Sequence, residues 1–359
     1  MLVPALLGLV HAVVDAATVT AVMRAAHLGP ITPEQAFALV VGYDVIAFGS
    51  QVVLGWATDR FSTPKLAIVV GLVLSLVALG FSPLNAIGTM LFAGIGNALF
   101  HLGAGAQVLR GGLKRAAPAG IFVAPGTLGL GFGLYYGSRY PTGTVWPLLL
   151  LLGVALWLVI RHNPQGEPSA VNPAVVARSA RLPHTRLALA LLLVSVAVRS
   201  LVGLSAARGY ARTELLLIGI PLVAFAGKSL GGYIADRLGW IETSIAALLL
   251  SLAPIALHAS TAWLLIGLFT FQLTMPVTLT AVARLLPDRL ATAFGWTCLA
   301  LLIGALPTMF PFGSVLCARP LLGIWIAIGT VSVYAGLRLL GIELRLLAPS
   351  IHLNMEMKS

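Results

Sequence analysis

The chain has 359 residues, of which 59% are hydrophobic and only 9% charged, with a mean hydropathy of +0.99. Soluble domains average about 25% charged residues, so this composition excludes a soluble enzyme, and the net charge of +11 is assigned to lipid contact and topology rather than to nucleic acid. The two cysteines, Cys298 and Cys317, make no disulfide framework and match no metal-ligand spacing.

Apolar runs long enough to cross a hydrocarbon core recur along the whole chain. In order they cover 2–23, 36–57, 65–82, 86–108, 119–138 and 143–160, then 186–206, 215–235, 240–258, 260–283, 291–309 and 321–341. The first reads as a retained helix and not a cleavable signal: it has no basic leader, and it carries His11 and Asp15. The start of the second is set by Thr32-Pro33-Glu34-Gln35, a predicted capping box with proline in the first turn. Span 5 holds Pro125 and glycines at 126, 129, 131, 133 and 137, which reads as close helix packing or a hinge. Between spans 6 and 7 lies a proline-rich polar stretch, and the tail after Gly341 is expected at the membrane surface.

The predicted fold is an all-α membrane protein of about twelve transmembrane helices in two pseudo-symmetric six-helix bundles. The halves are 1–161 and 186–341, joined by a linker over 162–185 and followed by a tail over 342–359. Connectors 2–3, 4–5, 6–7, 8–9 and 10–11 with the tail hold 15 Lys and Arg, and the opposite side holds five. The positive-inside rule then puts both termini in the cytoplasm, with the chain multi-pass in the inner membrane.

A repeated signature supports the duplication. GSQVVLGWATDRFSTPK (49–65) closes span 2 and AGKSLGGYIADRLGW (226–240) closes span 8, so Gly55, Asp59 and Arg60 correspond to Gly232, Asp236 and Arg237. More faintly, Phe100-His101-Leu102 in span 4 matches Phe271-Gln272-Leu273 in span 10. Internal repeats are characteristic of secondary transporters, whose substrate site lies between them near the midplane.

Gly-x-x-x-Asp-Arg between spans 2 and 3, echoed between spans 8 and 9, resembles the major facilitator superfamily. The resemblance implies alternating access, with the loop Asp and Arg holding the halves together on the cytoplasmic side; Gly55, Asp59, Arg60, Gly232, Asp236 and Arg237 are the candidate gate. Two departures stand out: Ser62 occupies the place of a usual second glycine, and Trp240 and Ile241 replace basic residues after Gly239. Within that superfamily, His11-Ala-Val-Val-Asp15, Ser50-Gln51 and Phe100-His101 are similar to the fosmidomycin-resistance branch of efflux proteins. Leu102 stands where that branch has proline.

A charge at bilayer depth costs at least about 2.5–3.5 kcal/mol on insertion scales, so ionisable residues inside spans are functional candidates. They are His11, Asp15, Asp44 and His101 in the first half and Arg199 and Lys228 in the second, with Gln51 and Gln272 as polar companions. His11, Asp15 and Thr18 fall on one helical face, as do Asn97 and His101. Asp15 with His11 and His101 is the predicted carrier of a coupling proton; Arg199 and Lys228 are predicted to attract an anionic substrate group or to pair with the carboxylates. A permanent Asp15–Arg199 ion pair is the structural alternative.

The function read from these features is a secondary transporter, a proton-coupled efflux protein for a drug or metabolite, with proton-linked uptake of an organic anion as the competing reading. A membrane enzyme is a remote alternative, since no activated nucleophile or carboxylate-rich metal cluster accompanies the spans. A channel is another, opposed by the twofold repeat with its two gate motifs, and the lack of a phosphate-binding loop argues against ATP-driven transport by this chain. No cofactor or metal is expected. The expected partners are a small-molecule substrate, protons and the lipid bilayer, with the chain acting as a monomer.

Overall fold

The computed structural model describes residues 1–162, 184–208, 214–257 and 260–356. The linker expected over 162–185 lies almost wholly outside them. Twelve long helices follow one another among the described residues: α1 Leu2–Leu28, α2 Pro33–Arg60, α3 Pro64–Phe81, α4 Ala86–Gly112, α5 Ala117–Arg139, α6 Trp146–His162, α7 Thr185–Arg208, α8 Glu214–Leu238, α9 Trp240–Leu257, α10 Thr261–Leu285, α11 Leu290–Met309 and α12 Arg319–Glu356. Each corresponds to one span of the sequence reading. Eleven have the length and hydropathy to cross a membrane, and α6 is a shorter apolar helix. Helix α12 runs on to Glu356, while its stretch long and apolar enough to cross a membrane is Arg319–Gly341.

Two helices are interrupted. A π-helical turn at Val45–Gly49 divides α2, and α10 breaks after Gln272, restarting at Met275 with Pro276 in its first turn. The start of α2 is the capping box read from sequence: the Thr32 hydroxyl accepts from the Gln35 amide and the Gln35 carboxamide accepts from the Thr32 amide.

Bulky apolar side chains such as Leu9, Val53, Trp157, Leu249 and Val331 stand on the outside, as a lipid solvent requires. Inside, small residues bring backbones together. Gly8, Gly129, Gly133 and Gly137 set α5 against α1: a Cβ at Gly129 would overlap the Ala12 carbonyl. Gly304 does the same for α11 against the Ala197 carbonyl of α7. Gly131 instead faces Pro221 of α8. The glycines of span 5 are therefore packing surfaces on two sides of one helix.

The packing repeats between halves. Helix α1 lies against α5, and α3 against α4 and α6; in the second half α7 lies against α11, and α9 against α10 and α12. The halves meet along α2 with α11 and along α5 with α8. These are one contact made twice, because α2 corresponds to α8 and α5 to α11. Near the α2–α3 and α8–α9 connections, hereafter the motif face, α4 also touches α10 and α11.

The backbone explains the glycine of the repeated loop. Gly239 has φ 104° and Ser62, its counterpart, φ 53°, the one non-glycine residue with positive φ among those described. An L-residue there is strained by about 1–2 kcal/mol. Ser62→Gly should therefore raise the thermal midpoint in detergent, worth up to about 1 kcal/mol after the entropy of glycine is counted, whereas Gly239→Ala should lower it; equal midpoints for the Ser62 variant and wild type would refute the strain.

Candidate functional site

At the motif face each repeated aspartate caps a helix of the other half. Asp59 accepts from the amides of Ala291 and Thr292 at 3.0 and 2.7 Å and from the Thr292 hydroxyl at 2.7 Å. Asp236 accepts from the amides of Ala116 and Ala117 at 2.7 and 3.0 Å. The carboxylates thus meet the unpaired N–H groups and the positive dipole ends of α11 and α5. The glycines one turn earlier make the approach possible: a Cβ at Gly55 would stand 2.7 Å from the Ala291 carbonyl oxygen, and one at Gly232 2.6 Å from Ala117 Cα.

The arginines of the motif do not share in this. Arg60 and Arg237 are exposed and make no hydrogen bond or ion pair among the described residues. The cation that spans the halves is Arg284, at the end of α10. Its Nε donates to the Leu113 carbonyl at 2.5 Å and its Nη2 to that of Lys114 at 2.8 Å. Its guanidinium lies 3.9 Å from the centre of the Trp240 indole, whose Nε1 donates to Asp236 at 3.1 Å. Trp240 is the residue that stands in place of the expected basic one. Its substitution was visible in the sequence; its partner 44 positions later was not.

The polar residues of α1 and α4 converge in the first half. His11 Nε2 lies 3.1 Å from Asp15 Oδ2 and 2.6 Å from His101 Nε2; His101 Nε2 lies 3.7 Å from Asp15 Oδ1. Asn97 donates to Asp15 Oδ1 at 2.8 Å and reaches Thr18, whose hydroxyl meets Tyr43 of α2 at 3.1 Å. The two histidines are 5% and 6% exposed, and the Asp15 side chain 14%. Phe100, Phe122 and Phe294 surround the rings. Gly126 leaves room for the His11 ring, which fills the space a side chain there would take.

Hydrogen bonding fixes both rings. His11 Nδ1 is 3.0 Å from the Phe122 carbonyl and His101 Nδ1 2.8 Å from the Asn97 carbonyl. A carbonyl only accepts, so each Nδ1 carries a proton and each neutral Nε2 presents a lone pair. Two lone pairs facing each other beside a carboxylate repel. A proton or other cation held among them would relieve that repulsion.

Arg199 is buried in α7 and donates from Nη1 to the Thr278 hydroxyl of α10 at 3.0 Å. Lys228 of α8 stands within electrostatic reach of both Arg199 and Asp15. No carboxylate among the described residues lies within 4 Å of either cation, so the permanent Asp15–Arg199 ion pair is not formed in this conformation. The remaining candidates stand apart from the cluster. Asp44 precedes the π turn of α2 and has no hydrogen-bond partner among the described residues. Gln51 is buried between α2 and α11 against Gly295, with Oε1 unpartnered. Gln272, at the break in α10, packs on Gly227, and its Oε1 is likewise unpartnered.

No protein-family model and no curated relative matches the sequence. Solved structures do. A major facilitator superfamily transporter, FucP, in the outward conformation aligns at 14% identity over 95% of this chain and 98% of that one, with a TM-score of 0.67. The chain has the major facilitator fold. A single-substitution form of the E. coli fucose:proton symporter FucP aligns at 14% identity over 94% and 98%, TM-score 0.66. The human organic anion transporter MFSD10 aligns at 16% identity over 94% and 98%, TM-score 0.64. Within this fold the polar cluster of α1 and α4 lies in the first half, and Arg199 and Lys228 lie in the second.

If the aspartates hold the motif face shut, removing their charge should loosen it. Hydrogen bonds to a charged group are worth about 1.5–3 kcal/mol each, so Asp59→Asn should raise the open population about tenfold or more. Spin labels at Phe61→Cys and Arg289→Cys, both exposed positions, in a background without Cys298 and Cys317, should report a longer distance component; an unchanged distribution would refute the latch.

Proposed function

We propose that this protein is a proton-coupled secondary transporter for a small anionic solute. The observation that carries the reading is the division of charge across the fold: an imidazole–carboxylate cluster in the first half, and in the second two cations, Arg199 and Lys228, with no carboxylate partner among the described residues. At about 1.5 Å per residue, Asp15 and Arg199 are each roughly 20 Å into their helices, so proton and solute meet at one level of the membrane.

In this reading the cluster of His11, His101 and Asp15 takes the coupling proton, and Arg199 and Lys228 hold the anionic group, Arg199 by a charge-assisted hydrogen bond. A proton added to the cluster makes the cavity more positive and strengthens anion binding; by linkage the anion strengthens proton binding. That sign favours symport of proton and anion. The likeness of span 1 and the loop to efflux proteins favours antiport instead, and the direction of proton flow separates the two.

Release of the Asp59 and Asp236 caps would open the motif face, which the distribution of basic residues assigns to the cytoplasm of an inner membrane. Helix α11 links site to gate: Phe294, which packs on His101 and Phe122, follows Thr292 by two residues. A change in the cluster's charge therefore reaches the capped helix through one rigid turn. We read the chain as acting as a monomer.

The test is proton movement in proteoliposomes challenged with a panel of organic anions, phosphonates and cationic drugs. An anion should carry protons in the same direction, and Asp15→Asn should abolish the proton signal. Arg199→Gln, which strips one partner from a buried charge pair worth about 2–5 kcal/mol, should raise the half-saturating anion concentration by about 30-fold or more, with Arg199→Lys intermediate. Uptake of an anion with no proton movement in wild type would remove the coupling role, and preference for a cation would remove the anion site.

A further inference from the structure

The donor set that traps a proton is also a metal site. We propose that His11, His101 and Asp15 form a three-ligand site for one divalent transition-metal ion of the zinc and cobalt class, held in place of the shared proton. Neither the sequence reading nor the structural neighbours assign a metal to this chain. The ligand atoms come from α1 and α4 and lie within 4.8 Å of one another.

Three features support it. The first is spacing. Metal–ligand bonds of about 2.0–2.1 Å meeting at a tetrahedral angle set donors about 3.3 Å apart. His11 Nε2 lies 2.6 Å from His101 Nε2 and 3.1 Å from Asp15 Oδ2, and His101 Nε2 lies 3.7 Å from the other carboxylate oxygen, Oδ1. One donor from each residue falls within 4.8 Å of the other two, so small side-chain rotations would bring one donor of each to the tetrahedral spacing. The second is protonation state: both Nε2 atoms already present lone pairs, because both Nδ1 atoms are tied to carbonyls. Ligating histidines almost always donate their second N–H in this way, which fixes ring and tautomer.

The third is the outer layer. Asn97 holds the Asp15 carboxylate in place, and Phe100, Phe122 and Phe294 provide an apolar wall. Two imidazoles and one carboxylate suit zinc, cobalt and nickel and not the all-oxygen ions magnesium and calcium. Three protein ligands leave a fourth position open, as in sites that exchange what they bind. Asp15, the least buried of the three, marks the side from which the ion enters. The unpartnered, buried Oδ1 of Asn97 is an acceptor for a water on that position.

Cobalt(II) reports its own geometry by visible absorption, and we would titrate it into detergent-solubilised, tag-free protein. One equivalent per chain should give the strong bands of a four-coordinate ion, and zinc should bleach them. A hundred-fold excess of magnesium or calcium should not. Affinity should fall by about 100-fold or more in His101→Ala and in Asp15→Asn, since even outer-layer changes cost 10–100-fold. His27→Gln, an exposed histidine at the end of α1, should leave the spectrum as it is. Only the weak spectrum of the hydrated ion in wild type would overturn the proposal, as would bands that survive both ligand variants. The readout is a spectrum of the wild-type protein, so it stands whether or not the protein moves protons and whether or not a variant folds.

Discussion

Two imidazole lone pairs and a carboxylate held face to face inside a membrane repel one another unless a cation sits among them. In this chain the carbonyls of Phe122 and Asn97 impose that condition by claiming the Nδ1 protons of His11 and His101. Each carbonyl belongs to a helix whose position is set by something else: α5 is drawn onto α1 by its glycines, and Asn97 lies one turn from His101 on α4. The cluster is thus a consequence of helix packing, and its demand for positive charge is fixed before any solute arrives.

The rest of the architecture turns that local demand into a global one. Helices α4, α5 and α11 each carry part of the cluster or its wall, and each ends at the motif face. There α5 and α11 offer their N-termini to Asp236 and Asp59, and the end of α4 is followed by the carbonyls that Arg284 binds. The two caps are equivalent by symmetry but unequal in support. Asp236 has Trp240 and, above it, Arg284; among the described residues Asp59 has only the Thr292 hydroxyl beyond its two amides. The bundle is therefore fastened more heavily along α5 and α8 than along α2 and α11.

Much of this was legible in the sequence. Hydropathy located the twelve apolar helices, eleven of them long enough to cross a membrane, since lipid allows few ways to satisfy a backbone, and the i, i+4, i+7 spacing of His11, Asp15 and Thr18 predicted a single polar face. The repeated Asp59 and Asp236 announced two equivalent places. What could not be read was contact between distant segments. Nothing in the spacing showed that His101 would meet His11 at hydrogen-bond distance, that Arg284 would reach Trp240, or that Gln51 would turn toward α11 instead of the cluster. The same three residues, grouped by polarity as a proton carrier, form no local metal-ligand motif in the sequence: two lie on one helix and the third 86 residues away. Ser62 is the opposite case. It looked like a departure from a pattern, and its positive φ gives the physical reason the pattern prefers glycine.

The central claim is the shared cation between His11 and His101, and nitrogen-15 NMR of histidine-labelled protein tests it most directly, with the two resonances assigned through His11→Gln and His101→Gln. The account predicts that both rings carry their proton on Nδ1 and that the two Nε2 signals show one proton held in common, shifting together as pH is changed. Two independent signals with either ring protonated on Nε2 alone would contradict it, and with it the coupling mechanism built on this pair.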